Sequence, residues 1–494
     1  MVSPLDGRRG MCTWIVSSLL HLHIGEYINL SLLILSSCAG VNGVFRDNNA
    51  MNLVAFSIKT KGLQNFARRL RTVFTRFGFS EKKTRKALYT IIQSLQAYHA
   101  APTFFIPAVV LRRHADLISE IVDSGAEVGV HGFVHNDFRY LSRQEQDAQT
   151  HQAMSVFQEA RIPFQGFRNP YLGWNEDALR VFAGCGFSYE SNLAVLHEVI
   201  DPESLSPLLR GGYEKSLALF QATPCTTYAL RPHFEGSLLR IPISIPDDEM
   251  LFDRLRITDP QKVGRICSEI MQRVYACGGL YTLNLHPERA VLGRRALEIL
   301  LATARSFALP VWITRLEDIA RWWKERSKFA WNIRSLSAGR WQVDASCTPR
   351  AVLLARHLQV AEAEIESWVG GECRVKAHRF TVQSAVFPGL GVSSHTPQEV
   401  IDFLREQGYP TMMCAPEDVP AFALYIDMPE GLGGSRQEQM QKCSELVERV
   451  EKLDAPLLRF GCWPDGNCAA LSISGDIDSV TIQDFFLRIL EVRV

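Results

Sequence analysis

From Met51 onward the chain alternates short apolar strands with amphipathic helices, and this alternation restricts the fold more than any other feature. Parallel strands need a crossover between them, usually a helix, so repeated strand–helix–strand units imply an α/β fold with a largely parallel sheet. Leu53-Val54-Ala55-Phe56 reads as the first strand. Ser80 is a candidate N-cap for a helix whose stripe is Ala87, Leu88, Ile91, Ile92 and Leu95. After Pro102, Thr103-Phe104-Phe105-Ile106 reads as a short buried strand. A helix over 115–124 stops at Gly125, a suitable C′ residue. Glu127-Val128-Gly129-Val130 is the next strand, and Ser142 with Glu145 has capping-box spacing for a helix running to about Ala160. Asn175 caps a further helix through Phe182, closed by Gly184 and Gly186. Strands are also expected over 239–241, 280–285 and 310–313. A helix over 316–324 follows, in which Trp322 and Trp323 are packing residues rather than ligand contacts.

A chain of 494 residues is too long for one ordinary domain. The polar stretch 325–337 divides it into a first unit, 51–326, and a second, smaller α/β domain, 338–494, with helices expected near 350–358, 397–407 and 434–452. Apolar residues at 47% and charged residues at 21% suit a chain with buried cores. Fifty-three basic residues balance fifty-three acidic ones, so no charge surplus argues for nucleic acid. The twelve cysteines show no CxxC, which favours free thiols in a reducing compartment and hence a cytoplasmic protein. Residues 1–50 are read as a leader or an upstream extension outside the fold. The run LSLLILSSC over 30–38 ends on Leu35-Ser36-Ser37-Cys38, the pattern of a lipoprotein processing site, and is too short to span a membrane. Glu26 and two histidines before it argue against a signal, while Met51 stands directly before a strand. Membrane anchoring follows only from the lipoprotein alternative.

Chemistry gathers at the strand ends. His131-Gly132-Phe133-Val134-His135 follows the strand 127–130, and two imidazoles on one short loop can clamp one divalent ion. The spacing alone is weak, and histidines satisfied by hydrogen bonds are the bland alternative. Arg168-Asn169-Pro170-Tyr171 lies on the next strand-to-helix loop, and Leu283-Asn284-Leu285-His286-Pro287 closes a later strand. In a barrel of parallel strands such ends converge on one face, where active sites sit.

These segments, in this order, resemble the polysaccharide deacetylase family (NodB-type, carbohydrate esterase family 4) over about residues 51–325. The resemblance implies a distorted (β/α) barrel that removes acyl groups from N-acylated sugars or sugar-lipids with a divalent metal, zinc being the expected ion. It implies His131 and His135 as metal ligands, and the backbone N–H of Tyr171 as an oxyanion donor. It also implies His286 as general acid, and Arg168 as the group that orients a carboxylate base through a bidentate pair. Gly132, where many members carry Ser or Thr, resembles the subgroup acting on small or lipid-linked amides.

The chain departs from the family at the first strand. Two aspartates are expected there, but Phe56-Ser57-Ile58-Lys59-Thr60 carries no carboxylate, and Lys59 places a cation where a metal should be. Three other sources of acid exist. Asp137 stands two residues past His135, its bland role being a solvated loop acid. Pro246-Asp247-Asp248-Glu249 is a tight acidic cluster that either faces the pocket or forms a turn or N-cap. Near the C-terminus, Ala469-Ala470-Leu471-Ser472-Ile473 leads into Ser474-Gly475-Asp476-Ile477-Asp478, which resembles the family's opening strand at the wrong end of the chain. Asp476 is therefore expected as a catalytic carboxylate and Asp478 as a metal ligand. The bland alternative is that they cap a helix over 480–490.

Two readings compete: a metal-dependent amide hydrolase acting on N-acylated carbohydrate, and an inactive deacetylase-like protein that binds carbohydrate. Lys59 favours the second, and retention of His131, His135, Arg168, Tyr171 and His286 favours the first. Arg68, Arg69 and Arg71 read as a solvated helix face, with a phosphate contact as the alternative, and Cys185 reads as small and buried rather than nucleophilic.

Overall fold

A computed structural model describes residues 71–492, which fall into two compact units: 85–478, and a small one of 71–84 with 479–492. The leader at 1–50, the strand at 53–56, Lys59, Arg68 and Arg69 lie outside the described residues.

The main unit is built on a nine-stranded sheet. Its strands are β1 (Thr103–Ile106), β2 (Glu127–Val130), β3 (Gly166–Phe167), β4 (Tyr189–Glu190) and β5 (His233–Glu235). They are followed by β6 (Leu238–Arg240), β7 (Leu280–Asn284), β8 (Val311–Ile313) and β9 (Ala469–Asp476). The order is β7–β9–β1–β2–β3–β4–β6–β5, with β8 also pairing β9. All pairings are parallel except the β5–β6 hairpin. The sheet curls into a half-barrel within a mixed α/β fold, and the α/β class is the one the strand–helix alternation implied. Strands β1, β2 and β7 are buried along their whole length, as expected for parallel strands covered on both faces.

Two of the three N-caps act as read, while the helix after Ser80 begins only at Lys82, one residue too late for Ser80 to stand at its N-cap. Ser142 and Glu145 form a complete capping box for the helix Arg143–Glu159, and Asn175 accepts from the Ala178 N–H. Trp322 and Trp323 are buried with Trp463, Phe105 and Tyr189 in one core cluster, and the Trp322 indole donates to the Cys462 carbonyl at 2.7 Å. They are packing residues.

Two expectations are corrected. Residues 338–494 do not form one separate domain, because β9 sits in the barrel sheet between β7 and β1, pairing Leu283 with Ile473 and Phe105 with Asp476. An eight-residue strand buried at every position needs neighbours on both edges and cover on both faces, and an interior place in this sheet, between β7 and β1, provides them. The helix expected at 350–358 is instead the strand Leu353–Arg356, paired antiparallel on both edges with Glu372–Val375 and Leu457–Phe460. A short apolar run cannot distinguish helix from buried strand, and here tertiary pairing decides. The segment between β8 and β9 otherwise holds two four-stranded antiparallel sheets and a three-stranded parallel one. Its helices Gln398–Glu406 and Arg436–Glu451 lie where the sequence placed them.

In the small unit, Val73, Phe77 and Ile482 pack with Phe74, Phe485 and Phe486. The helix Ile482–Glu491 is capped by Thr481 and Asp484, so Asp476 and Asp478 are not its caps.

Strand β9 passes close to its neighbour. A Cβ on Gly475 would stand 2.4 Å from the Leu285 carbonyl oxygen, a backbone atom that cannot yield easily. Gly475→Ala is therefore expected to destabilise the protein by about 1–3 kcal/mol through overpacking, read as a lower denaturant midpoint at unchanged slope.

Candidate active site

The C-terminal ends of four strands supply the site. β2 delivers His131 and His135, β3 delivers Arg168, β7 delivers His286, and β9 carries Asp476 and leads into Asp478. The loop between the two histidines depends on Gly132, whose φ is +82° and whose Cβ would meet the Val134 carbonyl at 2.9 Å. Only glycine adopts that conformation in that space without strain.

The Asp478 carboxylate bridges both imidazoles. Its Oδ1 lies 3.4 Å from His131 Nε2, and its Oδ2 lies 3.3 Å from His135 Nε2. One ligand atom from each of the three residues lies within 4.8 Å of the others. Two imidazoles and one carboxylate are a donor set that can hold a divalent metal ion. His131 Nδ1 lies 2.7 Å from the Arg168 carbonyl. That hydrogen bond places the ring proton on Nδ1 and leaves Nε2 as the electron-pair donor.

Asp476 is held from several directions. Arg168, with no exposed surface, donates from Nη1 to Asp476 Oδ1 at 3.2 Å, and Asn284 donates from Nδ2 to Asp476 Oδ2 at 3.1 Å. The expected bidentate Arg168 pair is therefore corrected to a single ion-paired hydrogen bond. Nη1 also donates to Ser474 and Asn284, while Nε and Nη2 are turned to Ser191. The guanidinium also lies 4.3 Å from the centre of the Phe105 ring. Burial pushes the Asp476 pKa up, but Arg168, then His131 and His286, outweigh it and keep the carboxyl below its ordinary value.

His286 faces Asp476 across 3.7 Å from its Nε2 and is held from behind by Asp248. The Asp248 carboxylate accepts from the His286 backbone N–H and from Nδ1, each at 2.7 Å. Burial lowers the His286 pKa, yet Asp248 overrides it and holds the imidazole well above its usual value. Tyr171 is in the left-handed region at φ +60°, and its ring meets His135 edge-on at 4.7 Å. A non-glycine residue held there is a strained position of the kind that gathers at functional sites.

Among the alternative acids, Asp137 caps a short turn and pairs with Arg139 rather than reaching the histidines. Asp247 accepts from the Met250 N–H, and its carboxyl is pushed up to about 7 by burial, then by Asp248 and Glu249. Glu249 pairs with Arg254. The cluster thus contributes one site residue, Asp248, as the partner of His286. Sequence reasoning marked the cluster but not this pairing, and it missed Asn284 and Ser474 as partners of Arg168. Cys185 is half-buried rather than buried, beside Asp147 and His151; burial and Asp147 raise its pKa, so it stays a thiol. Arg71 is exposed, as read.

Residues 81–189 match the family model for polysaccharide deacetylase. No curated protein matches the chain. Similar solved structures include one named as a polysaccharide deacetylase from Mycobacterium smegmatis, 18% identical, covering 54% of this chain and 82% of that one at a TM-score of 0.38. A peptidoglycan deacetylase from Bacillus subtilis is 15% identical, covering 49% and 86% at 0.29. A carbohydrate esterase family 4 pseudoenzyme from Bacillus anthracis is 14% identical, covering 48% and 61% at 0.31.

Wild-type protein is expected to take up one equivalent of zinc in a competitive chelator titration. His131→Ala and Asp478→Asn should each weaken uptake by at least the roughly 10–100-fold that losing even an outer-shell partner costs.

Proposed function

With residues 81–189 belonging to the polysaccharide deacetylase family, we propose that the chain is a metal-dependent hydrolase that removes the acyl group from an N-acylated carbohydrate or sugar-lipid. The observation that carries this reading is the arrival of both missing carboxylates on one strand. Asp478 lies between the two histidines and Asp476 between Arg168 and His286. The inactive, carbohydrate-binding reading is favoured by Lys59, which lies outside the described residues; the carboxylate pair that β9 brings to this cluster of strand ends supports the hydrolase reading.

His131, His135 and Asp478 would hold the ion, which when bound supplies Lewis-acid polarisation of the acyl carbonyl and a more acidic water. Asp476 would take the proton from the attacking water as general base, its two oxygens fixed by Arg168 and Asn284. The backbone N–H of Tyr171 would donate to the oxyanion of the tetrahedral intermediate. His286 would then protonate the leaving amine. Its proton is retained at neutral pH by Asp248, so acid and base stand ready in opposite protonation states.

Asp476→Asn should reduce acetate release from an N-acetylglucosamine oligomer by about 10²–10⁴-fold while zinc content stays at wild-type level. Wild-type protein that binds the oligomer and zinc but releases no acetate would establish the inactive reading instead.

The pH profile tests the Asp248–His286 pair. A general acid works only while protonated, so activity falls as pH rises through its pKa. In wild type that alkaline limb is expected well above the ordinary histidine value near 6.5. Asp248→Asn removes the main influence that raises the pKa and leaves burial and Arg289, which lower it, against Glu288, so the limb should move to lower pH.

A further inference from the structure

A second cavity, of about 440 Å³, lies at the opposite ends of the strands that build the active site. Gly278 and Cys468 line it just before β7 and β9 begin, whereas His286 and Asp476 stand where those strands end. Its wall holds an unusual concentration of buried charge. Arg231 pairs with Glu451 at 2.9 Å, Arg356 with Glu372 at 3.1 Å and Glu451 at 3.2 Å, and Arg459 with Glu372 at 2.5 Å. Among the described residues this buried network sets three guanidinium groups against two carboxylates; Asp454, the third carboxylate on the lining, is exposed and pairs with His357, and Lys452 pairs with Glu448. Arg326 stands behind this network, with Glu406 as its acidic neighbour. Its guanidinium donates to the carbonyls of Gly461, Glu406 and Gln407, and burial depresses its pKa, as do Arg231 and Arg459.

A surplus charge withdrawn from water is costly unless a partner completes it. Arg231, 2% exposed, also keeps a buried Nε with no hydrogen-bond partner in the structure. The chain as a whole is neutral, so this surplus is local to the cavity rather than a share of a basic surface. Planar guanidinium groups match the paired oxygens of carboxylate and phosphate. Half-buried Trp368 and Val369 give the cavity an apolar flank for whatever carries the anionic group.

We propose that this cavity binds a small anion bearing a phosphate or carboxylate group, with Arg231, Arg356 and Arg459 as its charge partners. The site is separate from the metal cluster, and its occupancy does not depend on the deacetylase reading.

The test uses full-length, chelator-stripped protein, with inorganic phosphate followed by ³¹P NMR and malonate followed by calorimetry at matched ionic strength. One of the two should saturate at one equivalent per chain. Saturation by phosphate identifies a phosphate ligand, and saturation by malonate alone identifies a carboxylate. Arg356→Gln is expected to weaken binding by about tenfold or more. That variant removes a buried ion pair, so Lys452→Glu, an exposed change at the cavity rim, provides the second measurement and should also weaken binding. Asp478→Asn should bind as wild type does. Failure of both probes to saturate overturns the proposal, as does binding that is lost in Asp478→Asn but kept in Arg356→Gln and Lys452→Glu.

Discussion

Strand Ala469–Asp476 lies hydrogen-bonded between Leu280–Asn284 and Thr103–Ile106, and the rest of the barrel depends on that placement. Remove it and β7, β8 and β1 lose their shared neighbour, so β7 and β8 are cut off from the rest of the sheet. The same strand carries Asp476 and leads directly into Asp478. One set of backbone hydrogen bonds therefore closes the sheet and completes the cluster of histidines and acids. Fold and site are joined by a single element drawn from the far end of the chain.

Electrostatics reinforces that arrangement. Arg168 is wholly buried, and a guanidinium in that position is tolerable only with its donors satisfied. Its partners include Asp476, which is 308 residues away in sequence, and Asn284 and Ser474 on the two strands flanking the seam. Asp476 is kept ionised by the same contact, despite its burial. A neighbouring pair, Asp248 with His286, works in the opposite sense and holds a proton on the imidazole. Two carboxylates thus have opposite effects: one is itself held charged, and the other holds a cation charged. Environment alone sets the difference.

The local signals were legible because they depend on short-range physics. The capping box at Ser142 and Glu145 and the Asn175 cap are bonds between residues three apart, and they form wherever the helix forms. Burial of Phe104–Ile106 and of Val128 and Val130 follows from apolar content, whereas buried Thr103 and Glu127 satisfy each other by a hydrogen bond. The 350–358 segment was misread because a brief apolar run fits a helix face or a strand equally until its partners are known. The single Arg168–Asp476 bond, in place of a bidentate one, follows from the competing claims of Ser474, Asn284 and Ser191, which no linear reading can rank.

What the sequence determined by itself was the type of most elements in the first unit and the residues at their C-terminal ends: two histidines, an arginine, a third histidine and a displaced Gly-Asp-Ile-Asp. Periodicity and capping are written within windows of a few residues. Only the tertiary structure decided that the displaced strand enters the barrel, that Asp478 lies between His131 and His135, and that Asp248 supports His286. Strand pairing and charge pairing between distant segments are settled by which combination buries the most apolar surface while leaving the fewest polar groups without partners. That balance belongs to the whole chain at once.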